Sequence, residues 1–109
     1  MAQNNLGGCY RVGLGVKKDD LEAMKWYQKA ADQGVAEAQC YLGIYYGMGQ
    51  GVPKDNVKAL MWLTIADKSG SKEATGYGRT VVKEMTKEEI VQALDMAMHW
   101  KPKKSTTDR

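Results

Sequence analysis

Apolar and small residues alternate between two rhythms along this chain. Ala2, Leu6 and Tyr10 recur at every fourth position, with Gly7 on the same side. Further on, Ala23, Trp26, Tyr27, Ala30 and Ala31 follow the i, i+3, i+4, i+7, i+8 spacing of a one-sided helix. Between them lies the polar, glycine-bearing stretch GLGVKKD at residues 13–19. The pattern predicts two helices that turn back on each other through a short loop.

The same pattern then returns 36 positions later. Ala2, Leu6, Gly7 and Tyr10 fall on Ala38, Leu42, Gly43 and Tyr46, and GLGVKKD falls on GQGVPKD at residues 49–55. Ala23, Trp26, Ala30, Gly34 and Glu37 fall on Ala59, Trp62, Ala66, Gly70 and Glu73. About fifteen of thirty-six positions coincide without a gap. A period in this range marks stacked supersecondary units that bury their apolar sides against one another.

The repeated loop has a mechanical reading. Gly13, Gly15, Gly49 and Gly51 sit where the chain reverses and can take the positive φ that other residues resist. Val16 and Val52, apolar in a polar loop, are expected to plug the gap between the helices. Asp19 and Asp55 stand at the N-cap of the second helices. Glu22 completes a capping-box pattern in the first copy, and Lys58 removes it from the second. Gly34 and Gly70 suit the position just past the helix end. The loop lacks the full spacing of a phosphate-binding loop.

After Ala74 the period fades. Residues 74–84 still read as helical, although Gly76 and Gly78 weaken the pattern. Thr86 and Glu89 then form a second capping box, Ile90, Ala93, Leu94 and Ala97 make an apolar stripe, and Pro102 stops the helix. The expected organisation is a repeat domain over residues 1–100, with repeats 2–37 and 38–73 and a degenerate third unit at 74–100. A basic, disordered tail is expected at 101–109.

The signature A-x-x-x-L-G-x-x-Y, G-x-G-V-x-K-D, A-x-x-W-x-x-x-A-x-x-x-G resembles the Sel-one-like repeat, a relative of the tetratricopeptide repeat. The likeness covers residues 2–74, and the closing stretch MTKEEIVQALDMAMHW resembles the tail that follows the last such repeat in bacterial members. The resemblance implies an all-α fold, a right-handed α/α superhelix of helix-turn-helix repeats closed by a C-terminal capping helix. It implies a non-enzymatic adaptor that binds a protein or peptide partner, in the bacterial cytoplasm or periplasm. The alternative it carries is an enzyme or binder acting on β-lactam or peptidoglycan-like ligands, after a cysteine-rich subgroup whose helix-pairing cysteines are missing here. In solenoids of this type the first helix of each unit lines the concave side. By that resemblance Asn4, Gly8, Arg11 and Val12 from one unit, and Glu37, Cys40, Ile44 and Met48 from the next, form the candidate groove. These positions differ between the copies while the packing positions agree.

Charge adds a restriction. The net charge is +3, but Lys101, Lys103, Lys104 and Arg109 against Asp108 account for all of it. A neutral body offers no basic face for nucleic acid. No apolar run reaches the length of a membrane span.

Candidate chemistry is sparse. The single histidine, His99, reads as a surface or helix-capping residue. Zinc would need about four ligands, and only Cys9, Cys40 and His99 are present. Cys9 and Cys40 read as small, partly buried thiols, with a disulfide as the alternative. Trp26 and Trp62 occupy the same repeat position between alanines and are expected in the core. No catalytic residue, cofactor or metal is expected. The first helix starts at the chain's first residues, which leaves three expectations for its apolar side, namely upstream repeats, fraying, or cover by a second copy of the chain; the favoured one is a homodimer through the solenoid ends.

Overall fold

The computed structural model describes residues 3–103, which form six α-helices. These are α1 (Gln3–Val12), α2 (Asp20–Asp32), α3 (Ala36–Met48), α4 (Asn56–Lys68), α5 (Glu73–Val82) and α6 (Lys87–His99). Helix α1 pairs with α2 and α3 with α4, and α2 packs on α3, so the two hairpins stack as the period predicts. There is no strand among the described residues.

Both hairpins turn through the same loop. The amides of Gly13 (φ 78°) and Gly49 (φ 71°) donate to the carbonyls of Cys9 and Tyr45, ending the first helix of each unit. Asp19 and Asp55 then cap the second helix, accepting the amides of Glu22 at 3.1 Å and Lys58 at 3.0 Å. The capping box expected at Glu22 does not close. The Asp19 amide that would reach it donates instead to the Tyr10 carbonyl at 2.9 Å, as the Asp55 amide does to Tyr46. A backbone bond to the preceding helix displaces the local side-chain pattern.

The valine plug forms in one copy only. Val52 is partly buried against the main core, whereas Val16 is 40% exposed. The second loop rests on the preceding unit: a Cβ on Gly51 would lie 3.1 Å from the Asp20 backbone, while one on Gly15 would meet nothing within 4 Å. Helices α2 and α4 end as expected. Gly34 and Val35 donate to Ala31 and Ala30, and Gly70 and Ser71 donate to Asp67 and Ala66, the paired bonds of a Schellman motif.

Small residues let the helices touch. Ala23, Ala30, Ala59 and Ala66 are at most 2% exposed. Gly7 lies under the Tyr27 ring and Gly43 under Leu63, contacts that repeat with the sequence period. The tryptophans break the symmetry. Trp62 is buried, and Trp100 meets it edge-on with ring centres 5.9 Å apart. Trp26 is only half-buried, with the Lys29 ammonium 4.5 Å from its ring centre, and has no such aromatic partner among the described residues.

After the second repeat α5 packs on α4 and α3, but α6 lies along α4 rather than beside α5. Its capping box closes: the Glu89 amide donates to Thr86 Oγ1 at 3.1 Å and the Thr86 amide to Glu89 Oε1 at 2.9 Å. Ala93 and Ala97 are buried, Ile90 is half-buried, and Leu94, expected in the same stripe, is exposed. Beyond Trp100 the chain returns to the first unit, where the Lys103 amide donates to the Asp32 carbonyl at 2.6 Å and its ammonium lies 3.4 Å from the Asp32 carboxylate. The expected tail thus begins with residues that reach α2; residues 104–109 lie outside the described residues.

Candidate functional site

Helices α1 and α3, the first helices of the two repeats, and α5 after them share one face. Its side chains surround three open recesses. One, of about 400 Å³, lies between α3 and α5 and is bordered by Glu37, Cys40, Tyr41, Ile44, Glu73 and Tyr77. A second, of about 430 Å³, reaches α1 and the loops and is bordered by Arg11, Lys18, Asp20, Tyr41, Tyr45 and Tyr77. A smaller one, of about 190 Å³, holds Ile44, Met48, Tyr77 and Glu84. Ile44 and Tyr77 line all three, which makes the recesses parts of one groove.

Of the residues expected in the groove, Arg11, Val12, Glu37, Cys40, Ile44 and Met48 border these recesses, and Asn4 and Gly8 border none of the three. Asn4 donates to Glu37 Oε1 at 2.8 Å, joining the first turns of α1 and α3. Arg11 donates through Nε to the Tyr27 hydroxyl at 3.0 Å, and its guanidinium carbon stands 4.4 Å from the Tyr41 ring centre. Tyr27 stacks on Tyr41 at 4.8 Å, so the two rings hold the arginine in place. The bond to Tyr27 raises the Arg11 pKa, and burial raises that of the Tyr27 phenol. Met48 and Val12 are exposed and Gly8 is half-buried. Cys40 departs from expectation: it borders a recess but is 7% exposed, packed with Leu63, Ala66 and Ala74. Burial pushes its thiol pKa up, with a hydrogen bond to Ser71 acting the other way. The thiol is held in its neutral form, and both Cys9 and Cys40 are free.

Several groove residues escaped the sequence reading: Tyr41, Tyr45, Tyr77, Glu73, Lys18 and Gln50. A signal existed for two pairs, since Tyr41 and Tyr77, like Glu37 and Glu73, stand 36 positions apart. Tyr45 had none. Its side chain is 4% exposed and, among the described residues, its hydroxyl has no hydrogen-bond partner. Burial raises its pKa, so the phenol stays protonated at neutral pH.

Elsewhere the chemistry is thin. His99 is exposed on α6, with Nδ1 2.9 Å from the Asp95 carbonyl oxygen. Among the described residues no cluster of three His, Cys, Asp or Glu side chains could hold a metal, and no helix is long and apolar enough to cross a membrane. What the groove offers is aromatic surface, paired charges and hydrogen-bonding groups.

Comparison with known proteins agrees with this architecture. The family model of the Sel1 repeat matches residues 1–35 and 36–70. No curated protein matches the chain. Among solved structures, the chain is 35% identical to c5321, described as a protective antigen present in uropathogenic Escherichia coli strains displaying an SLR fold, with a TM-score of 0.85. That match covers 90% of this chain and 21% of the other. A Sel1 repeat protein from Oxalobacter formigenes is 34% identical with a TM-score of 0.71, over 91% of this chain and 43% of the other. The chain therefore spans less than half the length of either.

Proposed function

This chain belongs to the Sel1-repeat family, and on that premise we propose that it is a non-catalytic scaffold holding a peptide or protein partner in the groove formed by α1, α3 and α5. Sel1-repeat proteins are commonly interaction scaffolds. One observation carries the finer reading: three recesses connect along a single face, with Ile44 and Tyr77 common to all of them. A half-buried isoleucine and an exposed tyrosine on neighbouring helices make a surface whose desolvation rewards a partner. Asn4, Arg11, Glu37, Ile44 and Met48 would contact the partner directly, while Cys40 supports the floor.

The test compares two faces of the molecule. Ile44→Glu and Tyr77→Ala alter the groove, and Val91→Glu alters the exposed side of α6. A partner isolated with the unaltered chain should be lost with the first two and kept with the third. Loss with Val91→Glu alone would move the interaction to α6 and reject the groove.

A further inference from the structure

We propose that the groove selects an extended peptide by its charge pattern: an acidic side chain enters the Arg11–Tyr45 recess, and a basic side chain about three residues away enters the recess between Glu37 and Glu73. This rests on the groove reading above and adds the chemistry of the occupant.

The acid subsite is built from unmet hydrogen-bonding capacity. Arg11 uses Nε on the Tyr27 hydroxyl and, among the described residues, pairs with no carboxylate, so its two terminal nitrogens remain for a ligand. Tyr27 and Tyr41 fix the guanidinium plane. A fixed guanidinium fork matches a carboxylate in shape as well as charge. Lys18 adds a second cation at the recess edge, and Asp20 is its one anion, 3.4 Å from Gln50 Nε2. Tyr45 forms the floor of this recess: its side chain is 4% exposed, and its hydroxyl is covered and, among the described residues, has no hydrogen-bond partner, so the ligand carboxylate is left to Arg11 and Lys18.

The base subsite mirrors it. Glu37 accepts only from the neutral Asn4 amide, and Glu73 lies 3.5 Å from the Ser71 hydroxyl. Neither meets a cation among the described residues, and no basic residue lines their recess. Tyr77, 47% exposed, adds aromatic surface that favours a cation, while the Tyr41 ring is already covered by Arg11 and Tyr27.

Spacing follows from helix geometry. Glu37 and Tyr45 are two turns apart on α3, and Asn4, which holds Glu37, is about two turns from Arg11 on α1. At 1.5 Å per residue the subsites lie roughly 11 Å apart. An extended chain advances about 3.3 Å per residue, so about three residues span the gap. Ile44 between the subsites favours an apolar residue there.

The probe is a library of random dodecapeptides displayed on phage and selected on the whole chain. Enriched sequences should carry Asp or Glu and Lys or Arg three positions apart, in one fixed order. Arg11→Gln should abolish the acidic preference and leave the basic one, whereas Tyr45→Phe, which alters only a covered hydroxyl, should leave both. Glu37→Gln combined with Glu73→Gln should do the reverse, and these isosteric surface changes leave the Arg11–Tyr27 bond intact. The best synthetic peptide should lose about tenfold in affinity when either of its charges is neutralised. Backbone amide shifts on titration locate the bound peptide. Peptides that shift α1, α3 and α5 without any charge preference would overturn this proposal and leave the groove reading standing. Absence of enrichment, or shifts confined to α2, α4 and α6, would overturn both.

Discussion

Leu63 lies so close over Gly43 that a methyl group on the glycine would sit 2.5 Å from Leu63 Cγ. The Ala59 carbonyl oxygen would be only 3.1 Å away on the same side. Gly43→Ala should therefore destabilise by about 1–3 kcal/mol, since overpacking outweighs the roughly 1 kcal/mol of helix propensity gained. Gly76, also inside a helix, has nothing within 4 Å of its would-be Cβ. Gly76→Ala should stabilise by about 0.5–1 kcal/mol. Urea midpoints moving in opposite directions would meet both expectations; a shared direction would refute the close-contact argument.

The two tryptophans should behave differently despite their shared register. Trp62 is 5% exposed and covered by Trp100, so Trp62→Ala should cost about 3–5 kcal/mol. Trp26 is half-buried. Trp26→Ala should cost clearly less, and equal losses in denaturant titrations would mean that the cover given by α6 contributes nothing.

Tyr45 carries a stability cost in its covered hydroxyl, which has no hydrogen-bond partner among the described residues. Removing its unpartnered hydroxyl with Tyr45→Phe should raise stability at neutral pH by about 1 kcal/mol. Its pKa is raised above 10.0 by burial. Above that pH the unfolded chain loses the phenolic proton first, so the stability held below pH 10.0 is lost as pH rises towards the folded-state value. Tyr45→Phe should flatten this alkaline decline, measured as urea midpoints at neutral pH and near pH 11. An unchanged slope would show that Tyr45 is not the titrating group.

Cys40 should resist modification. It is 7% exposed and its thiol is pushed up by burial, which keeps the reactive thiolate scarce. Iodoacetamide in native buffer should label Cys40 much more slowly than in urea. Fast native labelling, followed by peptide mass mapping, would show the floor of the groove to be open.

Self-association, expected from the sequence, has a direct test. Val12, Leu14 and Leu21 are each more than 50% exposed near the first loop. Light scattering over a hundredfold concentration range should show mass rising above that of one chain. A constant monomer mass would reject it.

The repeating part of the fold was legible because each packing device occurs twice. Gly7 and Gly43 predict a close approach, Asp19 and Asp55 predict caps, and Gly34 and Gly70 predict helix ends. Interactions that occur once carry no such signal. Nothing periodic marks Lys103 as a partner of Asp32, or Trp100 as the cover of Trp62. The groove was half legible for a related reason. A four-residue step from Cys40 finds Ile44 and Met48 but follows one edge of a wider arc, and so passes over Tyr41 and Tyr45, which lie four and eight residues past Glu37. Arg11, Glu37, Ile44 and Met48 border the recesses and Asn4 only bonds to Glu37 beside them, whereas Cys40 turns inward because α4 and α5 close over it.

The return of the chain to α2 changes how this molecule should come apart. A stack of repeats that touch only their neighbours can unzip from either end, each unit melting at its own stability. Here Lys103, just past the last helix, is bonded to Asp32 in the first unit. The ends cannot loosen independently while that bond holds, so the chain should unfold as one cooperative body. Ending the chain after Lys101, which keeps Trp100 on Trp62, would then lower the stability of α2, a helix distant in sequence, and slow amide exchange would be lost there first.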